Sequence, residues 1–138
     1  STVMFHLNIK AAAALALTAG AILAPPLAAS PSATSVFDSL QLGLWEIRER
    51  GESQVARVCV RTERDLVQVR HRGLACRRIA TEESGSSATI QYSCGSAGYG
   101  RTLIRRETPV LVQLRSDGIA RGAPFSFEAE ARRIGSCR

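Results

Sequence analysis

The chain has 138 residues, of which 45% are hydrophobic, 22% charged and only 5% aromatic, with four cysteines and a net charge of +6. Past an apolar leader it is long enough for one domain and too short for two. The positive balance favours anionic partners over cationic ones, and the few aromatics are needed for a core, so nucleic-acid stacking is not expected.

Met4 to Lys10 supplies a short basic start, with Ser1-Thr2-Val3 ahead of it. Ala11 to Ala24 follows as 14 residues without a charge, short of the roughly 20 a spanning helix needs. Pro25 and Pro26 break a helix, and Leu27-Ala28-Ala29 offers small residues to a peptidase. Residues 1–29 thus read as a signal peptide cleaved before Ser30, with a retained membrane anchor as the alternative. No cysteine follows closely, so a lipid anchor is not expected, and no stable membrane span is expected after cleavage. The expected location is the periplasm or the medium. The part beyond residue 29 has 17 arginines, no lysine and 12 acidic residues, net +5.

Residues 30–39 read as a disordered or short helical lead, and residues 40–138 as a single β domain. Within Val36–Leu42 one or two helical turns place Phe37 and Leu40 on one side, and Gly43 ends them. The period then becomes two. Leu44–Arg50 is a strand with Trp45 and Ile47 on one face and Glu46, Arg48 and Arg50 on the other. Gly51-Glu52 turns the chain, and Gln54–Val60 returns to complete a hairpin. Thr62 is placed to cap a short helix reaching about Val69, with Leu66 and Val69 inward. Ala75–Thr81 is a third strand, and Glu82–Ser87 a loop. In Ala88–Cys94, Ile90, Tyr92 and Cys94 face one way and Thr89, Gln91 and Ser93 the other. Gly95–Gly98 is a turn, Tyr99–Glu107 a strand, and Val110–Arg115 another. Asp117-Gly118 is a turn signal. Phe125–Arg133 closes the set with Phe125, Phe127, Ala129 and Ala131 inward. The fold class is therefore mainly β: a curved antiparallel sheet or partly closed barrel of about seven strands with one short helix.

Cys59, Cys76, Cys94 and Cys137 are separated by 17, 18 and 43 residues. No Cys-x-x-Cys is present and His71 is the sole histidine beyond the leader, which excludes the usual redox motif and zinc spacings. Two structural disulfides are expected of an exported chain of this size. Cys59–Cys76 would bracket the helix and Cys94–Cys137 would tie the tail to the sheet; Cys76–Cys94 is the competing choice, which only geometry decides.

Chemistry-bearing patterns are sparse. Gly95–Gly100 is followed by a strand rather than a helix, so it is a hairpin turn and not a phosphate loop. Ser86, Ser87, Ser93 and Ser96 have only His71 as a candidate base, and no Gly-x-Ser-x-Gly elbow exists. Glu82 and Glu83 are adjacent on an extended segment and point apart. No catalytic residue, metal ligand or cofactor is assigned, and the chain is not expected to be an enzyme. Trp45 and Tyr92 are the candidate ligand platform, set against an ordinary core role. Arg77-Arg78, Arg105-Arg106 and Arg132-Arg133 each put one guanidinium on either face of a strand. Arg77, Arg105 and Arg132, extended by Arg48, Arg50 and Arg101, are candidates for an anion-binding stripe, set against ordinary cross-strand pairing with Glu46, Glu107, Glu128 and Glu130.

Leu42-Gly43-Leu44-Trp45-Glu46-Ile47, Arg57-Val58-Cys59-Val60, Cys76, Tyr92-Ser93-Cys94 and Arg133-Ile134-Gly135-Ser136-Cys137 together resemble the secreted proteobacterial family named domain of unknown function 3617 (DUF3617). The resemblance spans about residues 40–138. It implies an exported, mostly β domain and no activity. Members of that family carry Met-rich and Gly-rich stretches in the later strands; here the only methionine is Met4, so no role of those methionines transfers.

The expected function is a monomeric, non-enzymatic binding or structural module of the periplasm. Its partner is open: a small apolar molecule in the inner cavity, or an anionic envelope component on the arginine face. The alternative is an inhibitor of an exported enzyme such as a lysozyme, since Tyr92-Ser93-Cys94-Gly95 resembles a lysozyme-inhibitor strand. Charge opposes it, because a +5 domain repels a cationic lysozyme.

Overall fold

The computed structural model describes residue 3, residues 13–26 and residues 35–138. The basic start, the expected cleavage point and the lead over 30–34 lie outside the described residues. The chain divides into two units, Ser1–Ser30 and Pro31–Arg138. In the first, residues 13–26 form neither helix nor strand. No helix among the described residues is long and apolar enough to cross a membrane.

The second unit is one antiparallel sheet of seven strands: β1 (Gly43–Glu49), β2 (Val55–Val60), β3 (Arg77–Glu83), β4 (Ser87–Ser93), β5 (Gly98–Thr108), β6 (Leu111–Ala120) and β7 (Ala123–Gly135). Their order across the sheet is β2-β1-β7-β6-β5-β4-β3. The sheet is open rather than closed, with β2 and β3 as its edges. Strands β3 to β7 run as a meander, and β1 then pairs with β7. The connection from β2 to β3 must therefore cross the full width of the sheet. It does so with α1 (Arg64–Val67) and a 3-10 turn at Val69–His71.

That crossover fills the inner face. Leu66 and Val67 are fully buried together with Trp45, Ile104, Val112 and Val36. Val36 belongs to a 3-10 turn at Val36–Ser39, so the lead joins the core at the seventh residue after the expected cleavage point. The Trp45 indole donates to Gln41 O at 3.0 Å, which satisfies the one polar atom of the largest core side chain. Two buried hydroxyls fix the crossover to the sheet. Thr102 Oγ1 donates to Val67 O at 2.6 Å, and Ser116 Oγ in turn donates to Thr102 at 2.8 Å.

Three expectations are corrected. First, the helix is a single turn, and Thr62 does not cap it. Instead the Asp65 carboxylate accepts from the backbone N–H of Arg61 and Thr62 at 2.8 and 3.0 Å. Second, Asp117-Gly118 is not a turn but lies inside β6, opposite Arg101 and Gly100. A Cβ on Gly118 would come within 2.1 Å of Tyr99 O, so this glycine serves a close approach of two strands. The turn comes at Arg121-Gly122, with φ of +53° and +73°, the two positive angles that a tight hairpin between Ala120 and Ala123 requires.

Third, the disulfides are Cys59–Cys137 and Cys76–Cys94, so the competing choice for Cys76 holds and neither Cys59–Cys76 nor Cys94–Cys137 forms. The register gives the reason. Leu44 lies opposite Cys59 on one side and Gly135 on the other, which carries the C-terminal tail back to β2. Arg77 lies opposite Ser93, which makes Cys76 and Cys94 the next cross-strand pair, 4.3 Å apart at Cα. In the chain-entropy picture the two bridges contribute about 4.5 and about 3 kcal/mol, the longer loop giving the larger value. Two disulfides in a small β domain fit an oxidising environment.

Candidate ligand-binding site

Most arginines of the strands stand on the outer face of the sheet, away from α1, while Arg78 turns toward the crossover. Most of them alternate with carboxylates. Arg105 pairs with Glu107 at 3.5 Å and Arg132 with Glu130 at 3.4 Å. Arg48 reaches Glu46 at 3.3 Å, while Arg50 and Arg115 share Glu128 at 2.7 and 2.6 Å. Three arginines expected to form one stripe are thus on three separate strands, and two of them are committed to neighbours. Exposed pairs of this kind contribute well under about 1 kcal/mol each.

One corner differs. At the β3 end of the sheet, a groove of about 650 Å³ crosses β3 to β6. Its geometry follows from the register. Arg77 lies opposite Ser93, which lies opposite Tyr99; Ile79 lies opposite Gln91, which lies opposite Arg101. The four large side chains therefore stand at the corners of a quadrilateral, with the guanidiniums on one diagonal and the apolar groups on the other. Short Ser93 and Gln91 lie between them. From strand spacing and rise, the Cα atoms of Arg77 and Arg101 are about 12 Å apart, a span two arginine side chains can bracket. Asp117, opposite Arg101, adds a carboxylate on the β6 side. Neither arginine has an ion pair within 4 Å among the described residues. Ile79 is 67% exposed and Tyr99 56%, the first being the most exposed large apolar side chain of the Pro31–Arg138 unit.

The floor is thin because Gly100 and Gly118 face each other across β5 and β6. The Tyr92 ring covers Gly100 from the inner side; a Cβ there would lie 2.4 Å from its hydroxyl oxygen. Tyr92 is 3% exposed and Trp45 has no exposed surface. Trp45 is a core side chain with no face to offer a ligand. Tyr92 lines the groove from beneath, as part of its floor.

The Tyr92 hydroxyl belongs to a buried cluster. His71 Nε2 faces two carbonyls, Ala97 O at 3.1 Å and Ile119 O at 3.0 Å, so it carries the proton and donates. Nδ1 then accepts from the Tyr92 hydroxyl at 2.9 Å. Burial pushes the Tyr92 phenol up to about 12, with the charge of Arg70 opposing in part. Both ring nitrogens of His71 are thus engaged by a phenol and by backbone, and neither contacts a serine or a carboxylate. Among the described residues no three His, Cys, Asp or Glu side chains gather as a metal-holding group.

A second depression, about 670 Å³, lies at the His71 end beside Leu74, Arg72 and Arg121. Its third arginine, Arg70, is bound to Glu49 and lies 4.4 Å above the Phe127 ring, and it has no exposed aromatic wall. The β3 corner is the better candidate.

Sequence reasoning named Arg77 and Arg101 but missed Ile79, Tyr99 and Asp117. The signal was present in the alternation of Tyr99–Glu107: if Gly100 and Thr102 face inward, Tyr99 and Arg101 stand together outside. Comparison with family models, curated proteins and solved structures gives no match to this chain.

Proposed function

We propose that the protein is an exported, non-enzymatic binding module whose β3 corner takes an anionic amphiphile. The chain belongs, on this proposal, in the periplasm or the medium, where its two disulfides persist. A carboxylate, sulfate or phosphate lies between Arg77 and Arg101, and an aliphatic or aromatic body lies against Ile79 and Tyr99. The single observation that carries this is the coincidence of two ion-pair-free arginines and two exposed apolar side chains in one groove. The inner face offers no equivalent space, since the crossover and Trp45 occupy it. Asp117 keeps the anion between the two arginines rather than over β6 and disfavours ligands with negative charge at both ends of a short body. The resemblance to the DUF3617 family agrees with an exported β domain and adds no ligand.

The test is titration of the disulfide-bonded protein with dodecyl phosphate and dodecanoate, using dodecyltrimethylammonium as the cationic control. Both anions are expected to bind and the cation not. Arg101→Ala is expected to weaken binding by about tenfold or more, as loss of a charge-assisted hydrogen bond does. Equal binding of the cation, or no effect of Arg101→Ala, would contradict the proposal.

A further inference from the structure

All seven residues of β3 are exposed, although the strand belongs to a sheet. Its free edge presents unpaired backbone groups, the usual template for adding another strand. The charges along it are ordered: Arg77 and Arg78 at one end, Glu82 and Glu83 at the other. Arg78 turns to Glu63 of its own crossover at 3.0 Å. Arg77, Glu82 and Glu83 have no ion pair within 4 Å among the described residues.

The register sharpens this pattern. Arg77, Ile79 and Glu82 lie opposite Ser93, Gln91 and Thr89 of β4, which all stand on the outer face. In a plain strand the third outer position would be Thr81. The irregularity between Ala80 and Glu82 shifts the phase, so that Glu82 takes that place. The outer edge therefore reads cation, apolar group, anion, with Ile79 at the centre. Reversed end to end, that series is its own charge complement.

We infer that β3 is a self-association edge. Two copies pair antiparallel through β3, the two Ile79 side chains meet at the two-fold axis, and Arg77 of each copy faces Glu82 of the other. The same surface serves both partners, as a two-fold interface demands. The other edge does not offer this, because β2 buries Val58 and Val60 and its Cys59 is bound to the C-terminal tail. A bulge commonly blunts an edge against pairing; here it also brings the charges into phase. A single strand pair buries less than about 1,200 Å², so the association is weak and concentration-dependent. Glu82 lies outside the groove and Arg101 lies away from the edge, so dimerisation and ligand binding are separable by mutation.

The test is sedimentation equilibrium of the full chain, isolated with both disulfides formed, from about 10 µM to about 1 mM, the range in which so small an interface acts. The average mass of the native protein is expected to rise from one chain toward two. Arg77→Glu or Glu82→Arg alone sets like charges opposite each other twice and is expected to weaken association at least about tenfold. Mixing these two single variants restores both ion pairs in a heterodimer, and association is expected to return. Ile79→Lys places two like charges at the axis and is expected to remain a monomer, with the native far-UV spectrum confirming its fold. A native protein of one-chain mass throughout would overturn the inference. So would association untouched by either reversal, or a mixture that stays monomeric.

Discussion

The two edges of this sheet are held by different means. Strand β2 buries Val58 and Val60, only 5% and 3% exposed, and Cys59 ties it to Cys137. Strand β3 buries nothing and is held by its ladder to β4 and by Cys76–Cys94. The difference comes from where the crossover lies. It leaves β2, sinks Leu66 and Val67 into the inner face, and emerges to start β3 with little apolar surface left to cover. One edge is thereby core and the other is surface. The exposed edge and the adjoining groove are where recognition is proposed, while the buried edge carries the stability.

Breaking the bridges should separate the two edges most strongly. Cys59→Ala with Cys137→Ala removes a link across 78 residues and is expected to lower stability by about 4–5 kcal/mol. Cys76→Ala with Cys94→Ala spans 18 residues and is expected to remove about 3 kcal/mol. Urea denaturation of the two double variants measures both, and an equal or inverted order would break the comparison.

A smaller effect comes from the buried phenol between the edges. Tyr92 is raised to about 12 in the folded chain, against about 10 when unfolded. The unfolded chain therefore loses this proton first as pH rises. The contribution is fully present below about pH 10 and is lost between about pH 10 and 12, on the order of 2 kcal/mol in all. Urea midpoints measured from pH 8 to 11.5 are expected to fall over that window, and Tyr92→Phe is expected to flatten the fall.

The smallest effect on stability is expected at the open edge. Ile79→Ser removes an exposed side chain and should change stability by no more than about 0.5 kcal/mol. A loss of 2 kcal/mol or more would mean that β3 contributes to the core after all.

The alternation of Leu44–Arg50 and Phe125–Arg133 made their inner faces legible in the sequence, because each has one apolar and one charged side. Of the disulfides, Cys76–Cys94 was open in the sequence as the competing choice, because it joins the two strands of one hairpin. Cys59–Cys137 was not legible, because it depends on β1 lying beside β7, a contact between the two ends of the domain that no local pattern announces. Asp117-Gly118 misled for a related reason. A glycine beside an aspartate signals a turn, whereas here Gly118 answers the close approach of Tyr99 from the next strand. The candidate site was half legible. Arg77 and Arg101 stood out as charges, but their grouping with Ile79 and Tyr99 is set by the register of three strands, and Glu82 joins the outer face only through the bulge.

The most direct measurement is amide chemical-shift mapping of the disulfide-bonded protein during titration with dodecyl phosphate. The account predicts shifts clustered at Arg77, Ile79, Gln91, Ser93, Tyr99 and Arg101, with β1 and β2 unmoved. Shifts centred on the Trp45 side of the sheet, or none at saturating probe, would contradict it.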